Sequence, residues 1–206
     1  MKKMSEKSIE RLVLYRRIVL QLKQQGRDNL YSHELARFSG SSPAKVRRDL
    51  MSIGYSGTPA HGYQIDNLLR SLNEFLDKNR KEAIAIVGMG NLGRAVAGYI
   101  RGRRPNLEIG ALFDKNPKLT DRLILGVRCY PIDQFKQVCE EQGIRVAIIA
   151  VPGDQAQMVA DTMVSAGISG ILNYAPMKLQ LPQNIYVEDR DMILAVEKVA
   201  FFSGNQ

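Results

Sequence analysis

The chain is 206 residues long, 45% hydrophobic and 24% charged, which gives room for one large domain or two small ones with buried cores. Its longest unbroken apolar run, residues 146–151, is too short to span a bilayer, and the polar start MKKMSEKS lacks a signal-peptide core. A cytoplasmic protein with no membrane partner is therefore expected. The net charge of +8 is lopsided: residues 1–80 hold 15 Lys and Arg against 8 Asp and Glu, residues 81–206 hold 14 against 13. The excess points to a polyanionic partner for the first part of the chain. Cys129 and Cys139 stand ten apart with no CxxC pair and no clustered His, which offers neither a disulfide framework nor a metal site. Buried, reduced thiols are expected instead.

Ile9, Leu12, Val13, Val19 and Leu22 recur at helical spacing and predict an amphipathic helix over residues 9–22. Ser32 is placed to cap a short second helix with Leu35, Ala36 and Phe38 on its apolar side. A third helix is announced by Ser42 as cap, Pro43 in the first turn and Gly54 at the left-handed C-terminal position. Val46, Leu50 and Ile53 make its apolar stripe; Lys45, Arg48 and Ser52 lie opposite, with Arg47 beside them. GYSGTPAHGYQI then predicts a hairpin, and Asp66 opens a fourth helix. The polar run DKNRKE (77–82) marks a boundary, giving a first domain of residues 1–80.

Helix, turn, helix, hairpin is the order of a winged helix-turn-helix, whose second helix enters the major groove of DNA. Lys45, Arg47 and Arg48 suit base edges and phosphates, Ser41 and Ser42 suit phosphate oxygens, and Ser52 extends the same face. The wing, with Gly57, His61 and Gly62, has the small residues of an element entering a minor groove. Double-stranded operator DNA is the partner this reading expects. A helical protein-interaction domain with a solvated basic face is the alternative.

Past the boundary, strands are predicted at 83–87, 107–113, 127–130, 145–151, 169–174 and 185–188, with helices at 92–102, 132–142 and 154–166. That alternation means an α/β domain: a Rossmann-type doubly wound parallel sheet over residues 81–189. The first strand runs into Gly88-Met89-Gly90-Asn91-Leu92-Gly93 and then a helix, the context that makes a glycine loop a dinucleotide cradle. Asp114 ends the second strand, where an acid holds ribose hydroxyls and repels a 2′-phosphate, so NADH and NAD+ are favoured; neighbouring Lys115 and Lys118 are cationic. The RGRR cluster (101–104) ends a helix, where cations complement the dipole.

Both histidines, His33 and His61, lie in the basic part, which leaves the sheet without a histidine acid or base. Tyr174 and Lys178 have a spacing used by some dehydrogenases, yet Pro176 between them argues against the helix it needs. The expectation is a site that binds without catalysis, supported by the lack of room for a substrate domain. Residues 190–202 are apolar on nearly every side and need something to bury them.

The stretches RLVLYRRI (11–18), ELA (34–36), KVRRDL (45–50), HGYQI (61–65), VGMGNLGRAVAGY (87–99), FDKNP (113–117), AIIAVP (147–152), AGISGILNYAP (166–176) and VEDRDM (187–192) resemble, in order, the Rex family of redox-sensing transcriptional repressors. The resemblance implies a homodimer with a swapped C-terminal helix (190–206), released from palindromic operators by NADH, while NAD+ competes without releasing it. It implies that Arg17, Tyr99 and Asp191 couple the domains, with Tyr99 near the nicotinamide, and that Val151, Pro152 and Tyr174 line the cofactor site. The chain departs from the family in its wing, GTPAHGY, which lacks an Arg, and in RRDLM where RKDLS is common. A small NAD-dependent oxidoreductase with a helical dimerisation domain, and a CoA- or nucleotide-binding module that recruits proteins, are the competing functions.

Overall fold

A computed structural model describes residues 4–58, 61–77, 81–104 and 106–204. By its internal contacts the chain divides into two compact units, residues 1–80 and 81–206.

The first unit opens with α1 (Glu6–Gln24), whose N-terminus is closed by Ser5 accepting from the Ser8 N–H. Leu12, Tyr15, Val19 and Leu22 form its buried stripe. Val13, expected there, is 45% exposed and Tyr15 takes the inward position instead, because the 3–4–3 spacing runs through 12, 15, 19 and 22. After β1 (Asn29–Leu30) comes α2 (Ser32–Ser39). Its cap is not Ser32: Tyr31 occupies the N-cap, and the Glu34 carboxylate accepts the Tyr31 N–H at 2.9 Å. That contact holds the Glu34 carboxyl below the usual range, with the Arg27 guanidinium at 2.9 Å adding to it. Phe38, predicted apolar-side, is also exposed.

The third helix, α3 (Pro43–Ser52), starts at Ser42, whose Oγ accepts the Lys45 N–H at 3.3 Å. Gly54 follows it at φ +81, the left-handed turn expected of it. The hairpin is smaller than predicted. Thr58 and Gly62 make a single antiparallel bridge, and β2 (Tyr63–Gln64) pairs not with its own neighbour but with β1. Residues 59 and 60 of the wing lie outside the described residues. Last is α4 (Ile65–Asp77), laid on α1 through Leu68 and Leu72 and tied to it by Arg16–Asp77 at 2.6 Å.

The second unit begins with β3 (Glu82–Val87), then α5 (Asn91–Ile100) and β4 (Leu107–Asp114). A short hairpin of β5 (Arg122–Ile124) and β6 (Val127–Pro131) leads through a 3-10 turn, residues 132–134, into α6 (Phe135–Gln142). Then come β7 (Val146–Ile149), α7 (Gly153–Ser165), β8 (Gly170–Asn173), β9 (Tyr186–Asp189) and α8 (Met192–Ser203). The sheet order is β5-β6-β4-β3-β7-β8-β9, parallel except where β5 meets β6. Numbering only its parallel strands gives 3-2-1-4-5-6, the Rossmann order. β5 was not predicted; three residues carry too little periodicity to show.

The two sheet faces are covered unequally. Phe135 and Val138 of α6 and Val159 and Met163 of α7 pack on Val87, Phe113 and Ile149. On the other face α5 packs Ala97 toward Ile86, Leu112 and Ile148. In α8 no residue is buried, and Met192, Ile193, Leu194, Val196, Val199, Phe201 and Phe202 stand 55–70% exposed.

Candidate functional site

The glycine loop lies where the strand order reverses, between β3 and β7, the place at which open α/β sheets bind ligands. Its three glycines have three different reasons. Gly88 holds φ +96, and a Cβ there would meet the Ala150 carbonyl oxygen at 2.6 Å and Val151 Cγ1 at 2.9 Å. A Cβ on Gly93 would collide with the Gly88 carbonyl, so helix and strand can approach only without one. Gly90 is different: nothing lies within 4 Å of where its Cβ would stand, and its φ of −69° is open to any residue. Neither packing nor strain demands glycine there. Gly90 is also the N-cap of α5, where helix N–H groups favour a phosphate.

Surrounding contacts stiffen the loop. Arg94 Nε donates to the Met89 carbonyl at 2.9 Å, and the Met89 N–H donates to Asp114 Oδ2 at 2.6 Å. The Met89 side chain itself is fully buried, so the loop presents only its backbone. Asp114 Oδ1 accepts the Asn116 N–H at 2.8 Å. The carboxylate is thus fixed beside the cradle by backbone donors, with lone pairs left for ribose hydroxyls. Asn91 and Lys115 are exposed at the same edge, and Leu92 is partly exposed.

Across the switch point, Val151 lies against Gly88 and Pro152 is the N-cap of α7. The Tyr174 N–H donates to the Ile149 carbonyl at 3.0 Å, which brings the residue after β8 to the end of β7. Residues 174–178 are not helical, so Tyr174 and Lys178 do not form a dehydrogenase pair. One residue escaped the sequence reading. Asn173 is fully buried; its Nδ2 donates to the Met177 carbonyl at 2.9 Å and Asp189 Oδ1 at 2.8 Å, and its Oδ1 accepts the Ala175 N–H at 3.0 Å. It folds the loop carrying Tyr174, and its only signal was an Asn ending an apolar strand.

Tyr99 sits on the last turn of α5, nine residues after Gly90 and so about 13 Å along the helix axis, with Arg103 over its ring at 3.9 Å. Asp191 caps α8, its Oδ1 accepting the Ile193 and Leu194 N–H groups at 2.9 and 3.0 Å. Arg101, of the basic cluster, lies against Gly126 at the hairpin turn. Cys129 and Cys139 are buried in apolar surroundings that push their thiols up to about 11 and about 12, far from a reactive thiolate. Among the described residues no three His, Cys, Asp or Glu side chains gather as a metal site. No helix among them is long and apolar enough to cross a membrane.

In the first unit, Lys45, Arg47, Arg48 and Ser52 are exposed on α3 as expected. They are not equivalent. Arg47 Nη1 donates to Ser32 Oγ at 3.0 Å, which turns its guanidinium toward the start of α2, whereas Arg48 stays on the open face. Ser41 corrects the sequence reading: its Oγ is buried near the Tyr15 hydroxyl without a hydrogen bond of good geometry, so it does not face a phosphate. Ser42 is occupied by the cap. Gly57 and Gly62 have structural reasons. A Cβ on Gly57 would strike the Gly62 carbonyl, and one on Gly62 would meet the Leu30 carbonyl oxygen at 2.7 Å. His61 is exposed, its N–H donated to Thr58 Oγ1. Met51, unforeseen, is 66% exposed beside Arg47, in a groove of about 390 Å³ between α3, Tyr31 and the wing.

A family model described as a CoA binding domain matches residues 79–177, and one described as the N-terminus of putative DNA-binding proteins matches residues 3–50. The redox-sensing transcriptional repressor Rex of Lactobacillus acidophilus is 34% identical over 99% of this chain and 97% of its own. That of a Roseiflexus species is 37% identical over 94% of this chain and 88% of its own. RSP, a Rex-family repressor 27% identical, matches the whole chain with a TM-score of 0.88 over 97% of its own. Its complexes with NAD+ and operator DNA and with NADH score 0.90 over 94% and 0.86 over 96%. A repressor relative along nearly all of both lengths accounts for the two units together, and the chain belongs to the Rex family of redox-sensing transcriptional repressors.

Proposed function

We propose that this protein is a DNA-binding repressor controlled by NADH, with the dinucleotide as effector and not as substrate. The observation carrying it is the pairing, in one chain, of a capped basic helix exposing Lys45 and Arg48 with a glycine cradle left open at Gly90. Relatives named as repressors, one solved with NAD+ and operator DNA and again with NADH, support the same reading. Gly90 and the N-terminus of α5 would hold the pyrophosphate, and Asp114 the ribose. When bound, the dinucleotide would supply a signal, since the reduced nicotinamide is neutral whereas the oxidised ring keeps a charge that resists desolvation.

The acting form is a cytoplasmic homodimer on palindromic operators. A two-fold dimer reads two half-sites when its recognition helices stand ~34–36 Å apart, or a multiple. The second copy is also the body that covers α8, whose seven large apolar side chains are too exposed for a free helix. Arg17, Tyr99 and Asp191 would couple the cofactor site to that spacing. Operator retention by the pure protein at one stated salt concentration, with and without NADH, tests the whole reading. Retention is expected without NADH and loss with it; retention indifferent to NADH would refute the sensor. Tyr99→Phe and Asp191→Asn, the latter keeping the α8 cap while removing a charge, should bind NADH normally and release DNA poorly.

A further inference from the structure

Asp49 is a carboxylate 5% exposed within the apolar cluster of the first unit. Arg11 of α1 holds it with both arms of the guanidinium fork, Nε to Oδ2 at 2.6 Å and Nη2 to Oδ1 at 2.7 Å. The fully buried Tyr15, one turn further along α1, donates its hydroxyl to Oδ2 at 3.1 Å. Arg11 is itself steadied by Ser8 Oγ at 3.1 Å. Three donors from one helix thus fix a single side chain on another, next in sequence to the exposed Arg48.

Such a network is a poor source of stability, because burying charges costs about what pairing them returns. Apolar side chains of the same volume would hold α3 on α1 equally well. What they would lack is direction. Leu12, Val46 and Leu50 pack through contacts with little directional preference, so they resist a rotation of α3 about its axis less sharply than a bidentate ion pair does. At a side-chain radius of ~6 Å, a rotation of about 30° carries a tip through about 3 Å, the length of a whole hydrogen bond. Phosphate contacts absorb that error; base contacts do not. Resting on the DNA-binding reading above, we infer that Arg11, Tyr15 and Asp49 form a positioning joint that aims α3 and so sets discrimination between operator and other DNA.

The test uses the full chain. A duplex selected by the unmodified protein from random sequence serves as operator and an unrelated duplex as competitor, both titrated at one salt concentration, with thermal unfolding in parallel. The triple variant Arg11→Met, Tyr15→Phe, Asp49→Leu should unfold at or above the original temperature. Its affinity for the unrelated duplex should stay within about 3-fold, while its operator affinity falls by at least ~10-fold. Tyr15→Phe alone, which keeps the ion pair, should lower the operator-to-unrelated ratio by ~3-fold with little change in unfolding. A folded triple variant with the original ratio overturns the joint, as does a ratio that falls only in step with stability. If the triple variant does not fold, an unchanged ratio in Tyr15→Phe overturns it. An unmodified protein that prefers no duplex overturns the DNA-binding reading first, and the joint with it.

Discussion

Asp49 in the first unit and Asn173 in the second are buried polar residues, held for different ends. In the first, Asp49 is held by side chains so that other side chains, Lys45 and Arg48, point outward correctly. In the second, Asn173 is held largely by backbone groups so that a loop keeps its shape, and the site beside it consists of backbone and of missing side chains. One unit works through the groups its residues add, the other through the space its glycines leave. Substitution should therefore act on them in opposite ways: truncation harms the first, and addition harms the second.

The largest effect should come from the glycines. Gly93→Ala places a Cβ against the Gly88 carbonyl and should lower both stability and NADH affinity, the latter at least ~100-fold, about 2.7 kcal/mol. Gly90→Val places its Cβ where no protein atom lies within 4 Å and should leave the unfolding midpoint within about 2 °C while abolishing NADH binding. Thermal unfolding and NADH fluorescence titration measure both, and a Gly90→Val protein that still binds NADH would break the contrast.

Truncation in the first unit comes next. Arg48→Ala should cost ~1–3 kcal/mol of operator affinity and relax preference at one base pair per half-site. Arg47→Ala, whose guanidinium is turned to Ser32, should weaken all duplexes alike by less than about 1 kcal/mol and flatten the salt dependence. Titration against single-substituted operators separates the two; equal loss of preference in both would mean that the Ser32 contact does not survive on DNA.

A side chain beside the glycine cradle, Asp114, sharpens the comparison further. Asp114→Ala should reduce a preference for NADH over NADPH of more than ~10-fold, about 1.4 kcal/mol, to within ~3-fold. Competition titration with both reduced cofactors checks it.

The smallest effect concerns the two thiols of the second unit. Folded, they keep their protons up to about 11 and about 12; unfolded, they release them near ~8.5. Above that pH the unfolded chain binds fewer protons than the native one, so stability falls as pH rises. Unfolding temperature should hold steady below pH ~8.5 and decline above it. Replacing both cysteines by Val should flatten the decline, and an equal slope in both proteins would show that other groups govern it.

Order along the chain was legible because it is local. Caps such as Ser42 with Pro43, the 3–4 spacing of Leu12, Val19 and Leu22, and the strand-loop-helix around Gly88 each lie within a few residues. Pairing between distant segments was not. β1 finds β2 across 33 to 35 positions, and in the wing the described residues make the Thr58–Gly62 bridge. The Ser32 cap failed because Glu34, three residues past Tyr31, competes for the same helix end. Ser41 failed because exposure depends on what α1 places beside it.

By itself the sequence determined two folding units, their order, the residues of the glycine cradle and the basic face of one helix, because periodicity, capping and loop chemistry are properties of neighbours in the chain. Only tertiary structure decided which of those residues are free to act. It occupied Arg47 with Ser32, turned Ser41 inward and buried the Met89 side chain. It also joined Arg11, Tyr15 and Asp49 across 38 positions. Burial and hydrogen bonding are settled by whatever packs against a group, and those partners come from parts of the chain that no local pattern connects.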